Sequence, residues 1–403
     1  MLLSCYETNG TSIRRKSTEI FRCKSKVDLI SNRPTKAVID LDAMSRNLAA
    51  FRSIVGDTSV MAVVKANAYG HGATACSKRL VAEGVDSLAV ALVEEAVELR
   101  EAAIDSDIVV LGSFFPGQEG SIIRHNLEPV IYQKHTAAAL NDAAATAGVV
   151  VDIHVKIDTG MSRLGIDASD AEDFAEFLVN LRNLRVKGVM THFPAADDVA
   201  QDDLTRAQIE LFDNCCKAFT GRGHSPRYFD LANSPGALAH PSSRKDLIRL
   251  GGGLYGLLDD IMRGHRALPL LEPVMSLRSK VAHLRDVPEG TAVGYGRTFV
   301  AKRASKLAAV PIGYADGFPR GLSNKGSALI RGRPAPVAGI VSMDWTVFDV
   351  TEISDVEVGD DVILIGRSGD RSISAAEIAG TIDTIGYEIT CGISGRVPRR
   401  YYP

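Results

Sequence analysis

From about residue 59 to residue 252 the chain repeats one grammatical unit: a short apolar, β-branched run followed by an amphipathic stretch. The runs fall at 60–66, 87–92, 107–112, 127–132, 149–158, 185–193, 228–233 and 247–252. Strands that alternate with helices build βαβ units, and βαβ units build a parallel sheet. Near-continuous apolarity, as in Ile108-Val109-Val110-Leu111, means that both faces of such strands are covered. Between the runs, 203–220 puts Leu204, Ala207, Ile209, Leu211, Phe212 and Cys215 mainly on one helical face. Eight units suit a closed (β/α)8 TIM-type barrel. The rival is an open doubly wound sheet, which would carry a G-x-G-x-x-G turn after an early strand. The chain has none.

One more strand, 37–41, precedes the barrel pattern. After about residue 268 strand-like segments follow one another without long helices: 274–287, 297–302, 306–313, 327–332, 334–342, 345–350 and 361–366. Turn residues such as Pro288-Glu289-Gly290 separate them. One helix signal, 374–380, follows Ser372 as N-cap. The expected fold class is therefore α/β: an N-terminal barrel over 33–267, then a mainly antiparallel β domain over 268–403. Residues 1–32 are polar and lean basic, without the apolar core of a signal peptide, and read as a disordered extension.

Several function classes drop out. The formal net charge is -3 and the basic residues are scattered, so nucleic acid finds no electrostatic footprint. No apolar run reaches membrane-spanning length. The six cysteines include no Cys-x-x-Cys pair, so reduced thiols in a cytoplasmic protein are expected, and no metal site.

In a barrel of this kind, chemistry belongs at the C-terminal ends of the strands. Lys65 follows Met61-Ala62-Val63-Val64 and leads into Ala66-Asn67-Ala68-Tyr69-Gly70-His71-Gly72, a tight turn with an aromatic hydroxyl. A desolvated lysine has a lowered pKa and forms a Schiff base with an aldehyde cofactor. The alternative is a lysine that snorkels from a strand end. Lys156, Arg163, His192 and Arg249 lie at other strand ends. Ser234 and Gly251-Gly252-Gly253 close the seventh and eighth strands, where barrels bind phosphate through backbone N–H groups and a hydroxyl. An amine opposite a phosphate cradle points to pyridoxal 5'-phosphate (PLP).

These residues fall in motifs that resemble the alanine racemase family. The motifs are Val-Val-Lys-Ala-Asn-Ala-Tyr-Gly-His-Gly (63–72), Lys-Ile-Asp-Thr-Gly-Met-Ser-Arg-Leu-Gly (156–165), Thr-His-Phe (191–193) and Ala-Asn-Ser (232–234). They continue with Arg-Leu-Gly-Gly-Gly-Leu-Tyr-Gly (249–256), Val-Gly-Tyr-Gly-Arg-Thr (293–298), Gly-Tyr-Ala-Asp-Gly (313–317), Val-Ser-Met-Asp (341–344) and Arg-Val-Pro-Arg (396–399). The resemblance implies a PLP-dependent racemase of alanine that supplies D-alanine for the cell wall. It implies a homodimer whose active sites are completed across the interface.

By the same resemblance, Lys65 carries PLP and is one acid/base, and Tyr295 of the partner's β domain is the other. Arg249 faces the pyridine nitrogen, and His192 links Arg249 to Tyr295. Tyr69, Ser234 and the backbone of Gly251 and Gly252 hold the phosphate. Arg163 and the Met343 backbone bind the substrate carboxylate, and Tyr314 narrows the entrance. Lys156 matches a lysine that is often carbamylated; an unmodified lysine paired with Asp158 is the other reading. One position departs: a tyrosine is common immediately before Arg-Val-Pro-Arg, and here it is Gly395. That implies looser phosphate anchoring or a roomier pocket, so a racemase of broader range stays open. A PLP-dependent decarboxylase of a basic amino acid shares the domain plan but carries a carboxylate where Arg249 stands.

Overall fold

A computed structural model describes residues 33–262 and 269–403. The expectation for 1–32 and the 267/268 boundary both lie outside the described residues.

Eight parallel strands close into a barrel: Ser59–Val63, Ser87–Val90, Asp107–Val110, Glu128–Ile131, Val151–Asp158, Leu184–Met190, Tyr228–Asp230 and Leu247–Leu250. The eighth returns to the first with Leu247 beside Ser59, so no edge is left open. Ile108, Val109 and Val110 are fully buried, as strands covered on both faces require. Away from the strands' C-terminal ends, Lys187 pairs with Asp107 at 2.7 Å and with Glu128, which also meets His154 Nε2 at 3.0 Å.

The helix Asp202–Gly221 is rotated from its expected face. Thr205, Gln208, Ile209, Phe212, Cys215 and Phe219 are buried, whereas Leu204 and Leu211 are exposed. The buried face also carries a polar contact: Gln208 Nε2 donates to Thr159 Oγ1 at 3.3 Å, and Thr159 Oγ1 lies 2.8 Å from Thr191 Oγ1.

The second domain is built on a seven-stranded sheet. Lys36–Asp40, which precedes the barrel, lies within that sheet, antiparallel to Met275–Lys280 and parallel to Arg399–Tyr402. Chain from the 33–267 segment thus contributes to the β domain. The run 274–287 is two strands, Met275–Lys280 and His283–Val287, in different sheets. The helix Ala375–Thr381 is capped by Ser374, not Ser372: Ser374 Oγ accepts the Glu377 N–H at 3.0 Å, and Glu377 returns a carboxylate to the Ser374 N–H at 2.6 Å. Among the described residues no helix is long and apolar enough to cross a membrane.

Candidate active site

The barrel mouth opens into a cavity of about 750 Å³. Lys65, Tyr69, Lys156, Arg163, His192, Ser234, Arg249, Gly251 and Gly252, all expected from the sequence, line it.

Lys65 stands two residues beyond the first strand, where the backbone turns left-handed. Ala66, Asn67, Ala68 and Tyr69 have φ of 51°, 55°, 54° and 52°. Each such residue costs roughly 1–2 kcal/mol, so the turn needs outside support. Glu95 accepts the Ala66 N–H at 2.6 Å and the Ala91 N–H at 2.8 Å. Asn67 Oδ1 accepts the Ala73 N–H at 2.8 Å. His71, buried and pushed down to about 4 mainly by that burial, is neutral and directs Nδ1 at the carbonyls of Ala68 and Tyr69. The strained turn fixes where the Lys65 amine and the Tyr69 phenol leave the backbone.

Burial lowers the Lys65 pKa; Arg163 and Arg249 lower it further, while Glu95 opposes them. Lys156 falls to about 8 through burial and then through Arg249, Arg163 and Lys65. Asp158 Oδ1 accepts the N–H groups of Gly160 and Met161 at 2.8 and 2.9 Å. Among the described residues Lys156 has no ion pair.

His192 is pushed well below the ordinary imidazole value, first by burial and then by Arg249. Its Nδ1 lies 3.2 Å from Arg249 Nη2. A guanidinium only donates, so Nδ1 accepts and the neutral ring carries its proton on Nε2.

The opposite wall tests whether PLP fits. At Gly251 a Cβ would lie 2.5 Å from the Tyr69 hydroxyl oxygen, and at Gly252 one would lie 2.1 Å from the Tyr387 hydroxyl oxygen. Only glycines let both phenols close over this backbone. Gly251 donates its N–H to Ser234 Oγ at 3.0 Å. Gly252 opens a single turn, so its own N–H has no acceptor within that turn. Backbone donor, serine hydroxyl and two phenols converge, the donor set a phosphate needs. Tyr387 was not expected; it comes from the short helix Gly386–Cys391, which carries no strong sequence signal. Gly395 is exposed, with open space around the place of a Cβ. The Gly252→Ala variant is therefore expected to lose PLP on gel filtration while the wild type keeps it. Retention equal to wild type would show that this wall does not hold the cofactor.

Tyr295, Tyr314 and Met343 do not line the cavity of their own chain. They are exposed on the β domain by 72%, 43% and 52%. Their loops lie together there: Tyr314 N–H donates to Ser342 O at 3.0 Å, Ala315 N–H to Met343 O at 3.1 Å, and a Cβ placed at Gly296 would lie 3.6 Å from Ile340 Cδ1.

Carbonyl chemistry unites the groups at the barrel mouth, where a desolvated amine faces an anion cradle. That arrangement suits barrel chemistry on a phosphorylated aldehyde. The profile of the alanine racemase N-terminal domain matches residues 39–259, and that of the alanine racemase C-terminal domain matches 274–401. The chain is 42% identical to the alanine racemase of Halothermothrix orenii over 372 residues, covering 92% of this chain and 97% of that one. Among solved structures it resembles the alanine racemase of Streptomyces coelicolor A3(2), with a TM-score of 0.87, 34% identity and coverage of 91% and 98%. It also resembles that of Bartonella henselae with covalently bound pyridoxal phosphate, at a TM-score of 0.82, 28% identity and coverage of 92% and 99%. The chain belongs to the alanine racemase family.

Proposed function

We propose that this chain interconverts L- and D-alanine with PLP on Lys65, as a homodimer, supplying D-alanine for the cell wall in the cytoplasm. The observation that carries the reading is the Lys65 amine, set at the barrel mouth by a strained turn and deprotonated more readily through burial and its cationic neighbours. Tyr69, Ser234, Gly251 and Gly252 are the residues that would hold the phosphate, and Arg249 the pyridine nitrogen. Bound PLP supplies an electron-withdrawing ring that makes the Cα proton of the attached amino acid acidic.

Inversion at Cα requires a proton taken from one face and one returned on the other, so two groups are needed. Lys65 serves one face. The partner subunit's Tyr295 serves the other; the exposure of that tyrosine on its own β domain supports this assignment. His192 presents Nε2–H, a donor that stabilises a phenolate oxygen. Arg163 and the Met343 backbone receive the substrate carboxylate, and Tyr314 narrows the way in.

Reduction of the yellow holoenzyme with borohydride should fix the cofactor to the peptide containing Lys65. A label on any other lysine rejects the assignment.

Lys156 is proposed to be carbamylated. Its neutral amine adds to carbon dioxide, forming an N–C bond and releasing a proton, and the product is an anion able to orient Arg163. With the amine at about 8, the neutral fraction and hence the carbamate should rise as pH rises through that value. Carbon-13 NMR in labelled bicarbonate should show a carbamate resonance that Lys156→Ala abolishes. A spectrum without that resonance at pH values above the amine's own would refute the modification.

A further inference from the structure

Below the cavity floor lies a carboxylate that the proposed chemistry leaves unused. Asp230 ends the seventh barrel strand and is fully buried. It forms an ion pair with Nη1 of Arg249, on the neighbouring eighth strand. Arg249 is itself only 4% exposed. Its Nη2 is committed as well, to Thr191 O at 2.7 Å, Leu231 O at 3.2 Å and His192 Nδ1 at 3.2 Å. Among the described residues its Nε has no hydrogen-bond partner, which leaves that edge as the donor available to the cavity.

A guanidinium cannot shed its charge. Buried among carbonyl dipoles alone, it is strongly unfavourable unless a full negative charge lies beside it. Asp230 supplies that charge from the barrel interior, on the side away from solvent. Burial pushes the Asp230 carboxyl up, and Arg249 is the main influence holding it charged. Without the carboxylate, the solvent in the cavity becomes the nearest compensation for the guanidinium. The side chain would then swing outward, which would disturb both its free Nε–H edge and its contact with His192.

We propose that Asp230 is a positioning residue for racemisation: its carboxylate clamps the Nη1 edge of Arg249 into the barrel, so that the Nε–H edge and the His192 contact stay fixed at the cavity wall. This rests on the alanine racemase reading. A carboxylate that only stabilised the barrel would affect folding but would not act through Arg249.

The test compares four holoenzymes at matched PLP occupancy: wild type, Asp230→Asn, Arg249→Lys and the double variant. Wild-type turnover of alanine is measured first; its absence would reject the functional reading and is distinct from any result with the variants. Asp230→Asn should lower kcat by about 10- to 100-fold through misplacement of Arg249, with KM for alanine nearly unchanged. The visible band of the resting holoenzyme, without substrate, should move as it does in Arg249→Lys. The double variant should be no slower than Arg249→Lys alone, because residues that act as a unit are not additive. Wild-type kcat and spectrum in Asp230→Asn, or losses that multiply in the double variant, would overturn the proposal. If Asp230→Asn does not fold, Asp230→Glu decides. It keeps the charge but moves it by one methylene, so lower kcat with a shifted band supports the clamp, and wild-type values for both refute it.

Discussion

Replacing Tyr295 by Phe is expected to abolish most racemisation in both directions while PLP stays bound. The substitution removes one hydroxyl and nothing else. General acid–base catalysis by a positioned side chain contributes about 10²–10⁴-fold, and a drop of that order in kcat is expected for both L- and D-alanine. Cofactor retention is expected because Tyr295 does not line the cavity of its own chain, whose walls carry the proposed phosphate donors. The measurement is steady-state turnover by coupled assay in each direction, with PLP content read from absorbance. Near-wild-type turnover either way would eliminate Tyr295 as the second acid/base. With racemisation lost both ways, exchange of solvent deuterium into Cα of one enantiomer but not of the other would identify the face that Tyr295 serves.

Mixing two dead variants should restore activity. Lys65→Ala lacks the amine but offers an intact β domain; Tyr295→Phe has an intact barrel but lacks the hydroxyl. In a two-fold dimer with free exchange, about half the molecules are hybrids, and each hybrid has one complete site and one doubly defective site, so about a quarter of wild-type activity should return. The β-domain face with Tyr295, Tyr314 and Met343 exposed motivates this expectation. Native mass spectrometry would first establish that hybrids form. Hybrids present without recovered turnover would mean that each site is complete within one chain.

Much of the barrel was legible because its strands carry their own signal. Ile108-Val109-Val110 reads as a buried strand before any partner is known, since apolarity on both faces is a local property. The left-handed turn after Lys65 was legible only as a turn. Ala66 and Ala68 are not glycines, and their φ near +55° is not marked in the sequence; besides the local bonds of Asn67 and His71, the turn leans on Glu95, 29 positions away from Ala66. Ser372 and Ser374 compete as caps two residues apart, and the capping box with Glu377 decides for Ser374. Leu204 and Leu211 looked like core on helical periodicity, yet the buried stripe runs through Thr205, Ile209, Phe212 and Phe219 and leaves them outside.

The sequence by itself determined which residues could do chemistry and where along the chain they stand. Residue type and the strand-end position are encoded locally, and from them Lys65, Lys156, Arg163, His192, Ser234, Arg249, Gly251 and Gly252 were read as candidates, which the fold brings to one cavity. The tertiary structure alone decided how those groups act on one another. Closing the barrel brings Asp230 and Arg249 together as a buried ion pair and sets Arg249 against His192, which fixes the imidazole proton on Nε2. Folding the β domain back places the Tyr387 phenol over Gly252, more than a hundred residues distant in the chain. Burial and charge then shift Lys65 and Lys156. Desolvation and Coulomb interactions depend on distances through space, and no spacing along the chain records them.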